Sequence, residues 1–239
     1  MKDKFDFFIF GSTSEIMQHL ISTNKQWFKD NVNHLYVSQR GPTCPEVYKD
    51  FEHTVIQLDC ADPGVFRAGL TDLVKRHVTG ARPVHVFSTY GKFTWDYAEK
   101  SPVFRFSDDG LQVNLNSRLQ IIDAFKEHGS RVKFHVMGSL FANFPYTGDY
   151  GLSMWYVNQI PRNAEYSGLH VNVYNIGGCK TRFWKHESMP NNPFLHDEIP
   201  SGEIFKAGFL GDKRGVFTFY PSAMSRFACF LGSRGVRVL

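Results

Sequence analysis

The feature that most limits what this chain can become is the regular alternation of short apolar runs with helical patterns. Residues 5–10 (Phe-Asp-Phe-Phe-Ile-Phe) are too few for a buried helix and stop at Gly11, so they read as a strand covered on both faces. A helix over 14–22, strands at 34–38 and 54–58, and a helix over 65–78 with Phe66, Leu70, Leu73 and Val74 on one face follow. The pattern continues as a strand at 83–87, a helix at 111–125 carrying Leu115, Leu119 and Ile122, and a strand at 132–137. A helix over 150–166, disturbed at Pro161, a strand at 169–175, a last strand at 215–220 and a short apolar helix at 224–231 close it. Strands joined through helices of this length imply right-handed crossovers and a parallel sheet with helices on both faces. The expected fold is α/β, a single doubly wound domain over 1–239 with a surface excursion at about 182–214.

Composition excludes several classes. The apolar share is 42% and the charged share 21%, ordinary for a globular chain, and the net charge of +4 is spread over scattered Lys and Arg, which argues against nucleic acid. The 23 Phe fall mostly in strand-like runs and read as core. Cys44, Cys60, Cys179 and Cys229 have no paired short spacing, and the ten His contain no H-E-x-x-H group, so neither a metal site nor a disulfide framework is expected. The apolar run near Met1 is too short for a signal core or a membrane span, so a soluble, cytoplasmic protein is expected. No G-x-S-x-G elbow or P-loop lysine occurs.

The turn after the first run has the strand, glycine, helix order of a dinucleotide site. Gly11 permits a tight turn, and the backbone around Thr13, Ser14, Glu15 and Ile16 would meet a pyrophosphate at the positive end of a helix. Glu15 and Met17 stand where further glycines are usual, so the turn alone reads equally as a plain strand-to-helix connection. The second strand ends Val37-Ser38-Gln39-Arg40, without the acid that holds a ribose 2′-hydroxyl. Arg40 suits the 2′-phosphate of NADP, its alternative being a solvated loop arginine.

Several further motifs occur in a fixed order. These are Asp59 and Cys60 after the third strand, Ser88-Thr89-Tyr90-Gly91 after the fourth, Asn114, Ser139, Tyr150 with Ser153, and Gly168-Leu-His-Val-Asn-Val-Tyr-Asn-Ile176-Gly177, closing on Thr181. With Gly11, this series over residues 5–181 resembles the short-chain dehydrogenase/reductase family. The departures are Ile176 where that family has Pro and a Ser88–Gly91 run that keeps only the glycine of Asn-Asn-Ala-Gly.

The resemblance implies a Rossmann-type fold, NADP(H) preferred over NAD(H), and interconversion of a carbonyl and an alcohol. The cofactor would lie along Gly11, Thr13, Ser14, Glu15, Ile16, Arg40, Asp59, Cys60, Ser88, Thr89, Tyr90, Ile176, Gly177 and Thr181. Tyr150 would be the acid/base, Ser139 would orient the substrate oxygen, and Asn114 would position a water. Counting back from Gly168 without gaps selects Tyr146 instead, whereas the spacing to Ser153 selects Tyr150.

The family's Lys, one helical turn beyond the Tyr, is Met154 here, which carries neither charge nor N–H donor. Three explanations stand open: loss of chemistry with binding kept, a substitute cation among Lys180, Arg182 and Lys185, or a deliberate Lys-to-Met exchange. Phe141, Tyr146, Trp155, Trp184, Lys185 and His186 mix aromatic and cationic groups suited to a polar, sugar-like small molecule, unless the basic loop is simply solvated. A homodimer or homotetramer through the helices at 111–125 and 150–166 is also implied, and the terminal helix would cover the site, meet a lipid-linked substrate or pack a dimer. The other function class is a non-catalytic nucleotide-binding protein.

Overall fold

The structure, a computed structural model, describes residues 4–93, 95–96, 101–102, 106–179, 181 and 194–236. In chain order the strands are β1 Phe5–Phe10, β2 Val32–Gln39, β3 His53–Gln57, β4 Val84–Ser88, the short pair β5 Trp95–Asp96 and β6 Ser101–Pro102, β7 Val132–Ser139, β8 His170–Ile176, the short β9 Gly178–Cys179 and β10 Leu195–His196, and β11 Gly215–Phe219. The helices are α1 Glu15–Thr23, α2 Lys25–Asn31, α3 Pro63–His77, α4 Asp108–Leu111, α5 Ser117–Phe125, α6 Gly148–Gln159, α7 Ser201–Phe205 and α8 Ala223–Gly232.

Seven strands form one parallel sheet in the order β11-β8-β7-β4-β1-β2-β3. The α/β class and doubly wound architecture expected from the sequence are those observed. Because side chains alternate across a strand, Phe5, Phe7 and Ile9 of β1 enter one core with α1, α2 and α7, while Phe8 and Phe10 enter the other with α3, α5 and α6. Burial on both faces explains why β1 is apolar at every position but Asp6. Asp6 sits at its start, buried, where Asn33 donates to it at 2.9 Å and Arg82 lies 3.3 Å away. Asp62 accepts from the N–H groups of Gly64 and Val65, each at 3.0 Å, and Pro63 opens α3, which fixes where the crossover to β4 starts.

Three segments differ from the periodicity reading. The helix expected over 111–125 is interrupted by a π turn at Gln112–Asn116 between α4 and α5. The helix expected over 150–166 begins earlier, at Gly148 with φ 74°, and ends at Gln159, because Pro161 opens a separate 3-10 turn, Ile160–Arg162. Within the expected excursion at 182–214, Ser201–Phe205 is helical and buries Ile204 and Phe205 beside α1 and α2. The terminal helix α8 seats Cys229 against Leu140 and Phe144 and leaves Met224, Phe227 and Phe230 exposed. Among the described residues no helix is long and apolar enough to cross a membrane.

The α7 side of the sheet also buries two imidazoles. His85 Nδ1 lies 3.0 Å from His135 Nε2, and His135 Nδ1 lies 2.7 Å from the Tyr174 hydroxyl. Burial, reinforced by Lys133 and His170, pushes His85 down to about 3, and burial with His85 as neighbour holds His135 well below its usual range. In the unfolded chain both titrate near 6.5. Between these values the unfolded state binds more protons, so stability is complete above about pH 6.5 and falls as pH drops toward 3, by at most about 1.4 kcal/mol per pH unit per histidine. Denaturant midpoints measured across this window should show that slope, and a His85→Gln variant should flatten it.

Candidate active site

The sheet register lines up one edge. Phe10 pairs with Ser38 and Ser88, Gln39 with Gln57, Ser88 with Val136, and Ser139 with Ile176, so the residues that follow each strand meet at the carboxyl end. The chain leaves β1 toward β2 on one side and returns through α3 to β4 on the other. The crevice therefore opens between β1 and β4, where open α/β sheets take ligands. A cavity of about 640 Å³ occupies this edge. It brings together Gly11, Thr13, Ser14, Glu15, Ile16, Arg40, Asp59, Cys60, Thr89, Tyr90, Ile176, Gly177 and Thr181 with Ser139 and Tyr150.

At one end is the β1–α1 turn. Gly11 has φ 86°, and a Cβ there would stand 2.6 Å from Thr89 Oγ1 and 3.3 Å from the Tyr90 nitrogen. The turn is clipped from beneath. Thr89 Oγ1 donates to the carbonyls of Phe10 and Gly11 at 3.1 and 2.8 Å, the buried Ser12 hydroxyl donates to the Ser38 carbonyl at 3.1 Å, and the Tyr48 hydroxyl donates to the Ser12 carbonyl at 2.8 Å. Ser14 precedes α1 without capping it through its side chain, so helix N–H groups face the cavity end. An anion with close backbone approach suits this cradle.

Along the ribose side, the Gln39 side chain is occupied by the protein: Oε1 accepts from Ser12 at 3.2 Å and Nε2 donates to the Gly41 carbonyl at 2.8 Å. Exposed Arg40 is left as the cation at the end of β2. Asp59 Oδ1 accepts from the Ala61 N–H at 3.0 Å and shapes the turn after β3. The Tyr90 ring packs against Phe10 and Phe66 at 6.3 and 5.8 Å, with its hydroxyl 3.0 Å from Ser38 Oγ.

At the other end, Ser139 closes β7 and Tyr150 stands in the first turn of α6. Ser139 Oγ accepts from the Phe141 N–H at 3.2 Å. Tyr150 is buried, its ring edge-on to Phe93 at 4.9 Å and Phe141 at 5.8 Å. Burial raises its pKa above the usual tyrosine value, while a hydrogen bond with Ser139 and the charge of Arg118 oppose that rise. Met154, one turn on, is 1% exposed in an apolar cluster with Ala142, Tyr150, Phe93 and Phe141 and does not line the cavity.

Several expected residues lie elsewhere. Ser88 is still within the sheet, its hydroxyl buried without a hydrogen-bond partner. Asn114 is fully buried off the cavity wall. Its Oδ1 accepts from the Lys92 N–H at 2.7 Å and its Nδ2 donates to the Lys92 carbonyl at 2.8 Å, so it pins the loop after β4 rather than aiming at a water. Tyr146 lines a second cavity with Trp155 and Arg162, and its hydroxyl donates to the Val236 carbonyl at 3.3 Å. Phe141 does not line the cavity but meets the site through the Tyr150 ring and through its N–H, which donates to Ser139 Oγ. Lys180, Arg182, Trp184, Lys185 and His186 lie outside the described residues. Among the described residues no group of side chains is arranged to hold a metal.

Of the wall residues that the sequence reading did not place in the site, Lys92 and Arg118 are the charged ones. Arg118, on α5, is 3% exposed, lines the cavity and donates to the carbonyls of Tyr90 and Met137. Its signal was an arginine four residues after Asn114 on the same helical stripe as Ile121 and Ile122.

No family model and no curated protein matches the sequence. Solved structures do match over nearly the whole chain. A short-chain dehydrogenase from Burkholderia cenocepacia in complex with NADP has a TM-score of 0.67 at 13% identity, covering 96% of this chain and 92% of that one. A gluconate 5-dehydrogenase from the same organism, with NADP and tartrate, gives 0.66 at 15% identity over 93% and 96%. A short-chain dehydrogenase from Sphingobium yanoikuyae with NADPH gives 0.66 at 14% over 97% and 94%. The chain therefore has the Rossmann-type fold of the short-chain dehydrogenases, and at these identities the likeness is one of fold.

Proposed function

We propose that the protein is an NAD(P)(H)-dependent oxidoreductase of short-chain dehydrogenase type, which interconverts a carbonyl and an alcohol on a polar, sugar-like small molecule. The observation that carries this reading is the pairing of Tyr150 and Ser139 in one cavity with the Gly11 turn at its far end. A nicotinamide nucleotide fits the donor set: Gly11 leaves room that a Cβ would fill, and the N–H groups of α1 are uncapped by side chains. When bound, that group supplies or accepts the hydride. The chain's own residues do the rest. Ser139 and Tyr150 hold the substrate oxygen, and the phenol of Tyr150 delivers its proton to that oxygen as the carbonyl carbon is reduced. The half-buried phenyl rings of Phe93 and Phe141, packed against the Tyr150 ring, limit access of water to that proton transfer.

NADP(H) is the preferred form in this reading, because β2 ends in Gln39 and Arg40 with no carboxylate, and the amide of Gln39 is already bonded. Fluorescence titration of the purified protein should show NADPH binding more tightly than NADH. Arg40→Glu should cost NADPH about tenfold or more in affinity, a lost charge-assisted phosphate contact, and leave NADH nearly unchanged. Failure of both nucleotides to bind at micromolar concentrations would remove the reading.

A second reading, a nucleotide-binding protein without turnover, is favoured by the apolar burial of Met154. Tight NADPH binding without turnover of any candidate carbonyl, in both the unmodified chain and Met154→Lys, would select it. Substrate contact by the segment at about 182–214, a cytoplasmic location and a homodimer or homotetramer through α5 and α6 belong to the first reading. The exposed Trp155 and Tyr156 on α6 support that assembly.

A further inference from the structure

Arg118 is the only Lys or Arg among the described residues that is buried. Burying a guanidinium costs several kcal/mol unless its donors are satisfied and its charge is met. Its donors are largely satisfied. Nη1 donates to the Asn114 carbonyl, and Nη2 donates to the carbonyls of Tyr90 and, at 3.1 Å, Met137. Its charge is not met by these neutral acceptors, and among the described residues no carboxylate pairs with it. The Nε–H is buried and has no partner.

The same cavity is lined by Tyr150, whose hydroxyl becomes anionic whenever it gives up a proton. Position 154, where a cation on the same helix would serve that anion, holds a methionine sealed among aromatic rings. Position 154 on the helix of Tyr150 is thus uncharged, while a buried cation is delivered to the same cavity from another helix.

We propose that Arg118 supplies from α5 the positive charge that position 154 lacks, stabilising the Tyr150 phenolate formed during turnover. The inference deepens the oxidoreductase reading and rests on it for the chemistry, whereas the coupling of the two side chains is testable without it. In the reducing direction, the carbonyl π pair would move to oxygen as the carbon forms its new C–H bond with the hydride that a bound nicotinamide nucleotide would supply. The Tyr150 O–H bond breaks, its proton joins that oxygen, and the phenolate left behind regains a proton from water. Arg118 acts through Tyr150 and is a positioning residue. An arginine keeps its proton under these conditions, so it contributes charge and does not relay protons as a lysine can. Burial lowers its pKa only to about 10, with the Tyr150 charge opposing the fall, and it remains cationic at neutral pH. Three backbone carbonyls fix the guanidinium plane, so its charge needs little rearrangement when the phenolate forms.

The test is made on the nucleotide-free protein by carbon NMR of labelled tyrosine, with the Tyr150 ring signal assigned by its loss in Tyr150→Phe. Arg118→Gln, which keeps an N–H donor for the carbonyls, should raise the Tyr150 titration by about one pH unit or more, and Arg118→Lys should restore it close to the unmodified value. A purely structural role would move neither. A folded Arg118→Gln chain in which Tyr150 titrates unchanged overturns the proposal. Should that variant not fold, the unmodified chain decides: the Arg118 guanidinium resonance should show a step at the Tyr150 midpoint that is missing in Tyr150→Phe, and a guanidinium without that step overturns the proposal equally. Coupled titration in a protein that binds neither NADPH nor NADH would leave the electrostatic pairing intact and refute the oxidoreductase reading instead.

Discussion

Tyr150→Phe lowers turnover by about 10²–10⁴-fold, the span expected when a positioned general acid is removed, with NADPH affinity changed little. The ring stays wedged edge-on between Phe93 and Phe141 in the variant, because those contacts use the edge and face of the ring and not the hydroxyl. What is lost is the proton donor and the group paired with Ser139. The pH dependence has a definite sign. Burial keeps the phenol protonated above the usual tyrosine value of about 10, so carbonyl reduction, which consumes that proton, holds its rate through neutral pH and declines only in strongly alkaline solution. Alcohol oxidation needs the phenolate and rises over the same range. Stopped-flow measurement of nucleotide oxidation by the unmodified and Tyr150→Phe chains checks both statements. Turnover within a few fold of the unmodified chain would take Tyr150 out of the chemistry. Ser139→Ala should cost less, because Tyr150 keeps its proton and loses only one orienting partner.

The parts of this site that sequence spacing places well are those that follow a buried strand directly. Gly11, Arg40, Asp59, Thr89 and Gly177 sit one to two residues beyond the last ladder pairs of β1, β2, β3, β4 and β8, so a correct strand end delivers each of them to the same edge. Ser88 shows how narrow that margin is. It is still paired with Phe10 and Val136, and its hydroxyl points into the sheet's own packing, whereas Thr89, one residue on, clips the turn. A one-residue step reverses the face.

Helix faces are less legible where the pitch is irregular. Leu115, Leu119 and Ile122 fit an unbroken 3.6-residue period, yet Gln112–Asn116 is a π turn. The extra residue in that turn rotates everything before it relative to α5, and the stripe facing inward becomes Asn114, Ser117, Arg118, Ile121 and Ile122. Nothing in composition marks that rotation, so a buried arginine is hidden inside an apparently amphipathic helix. A backbone feature separates Tyr146 from Tyr150 in space: the turn closed by the Thr147 N–H on the Phe144 carbonyl, followed by Gly148 at positive φ, starts α6 so that Tyr150 lines the cavity with Ser139 while Tyr146 reaches the C-terminal segment.

Gly11→Val should abolish nucleotide binding at accessible concentrations, a loss of about 100-fold or more, and destabilise the fold by about 1–3 kcal/mol. Two costs act together. At φ 86° a β-branched residue is strained whatever the surrounding space, and its Cβ would stand 2.6 Å from Thr89 Oγ1. That hydroxyl cannot simply swing aside, because it holds the carbonyls of Phe10 and Gly11 at 3.1 and 2.8 Å and thereby ties the turn to β4. The two costs separate in a second background. In Thr89→Ala the side-chain contact is gone and the backbone strain remains, so Gly11→Ala introduced there should destabilise less than in the unmodified chain, by the part that belonged to the contact. Equal penalties in both backgrounds, read from denaturant midpoints, would assign the whole effect to the dihedral angle. Unimpaired NADPH binding by Gly11→Val would mean that the phosphate end of the ligand does not lie against this turn, and the cavity would then need a different occupant.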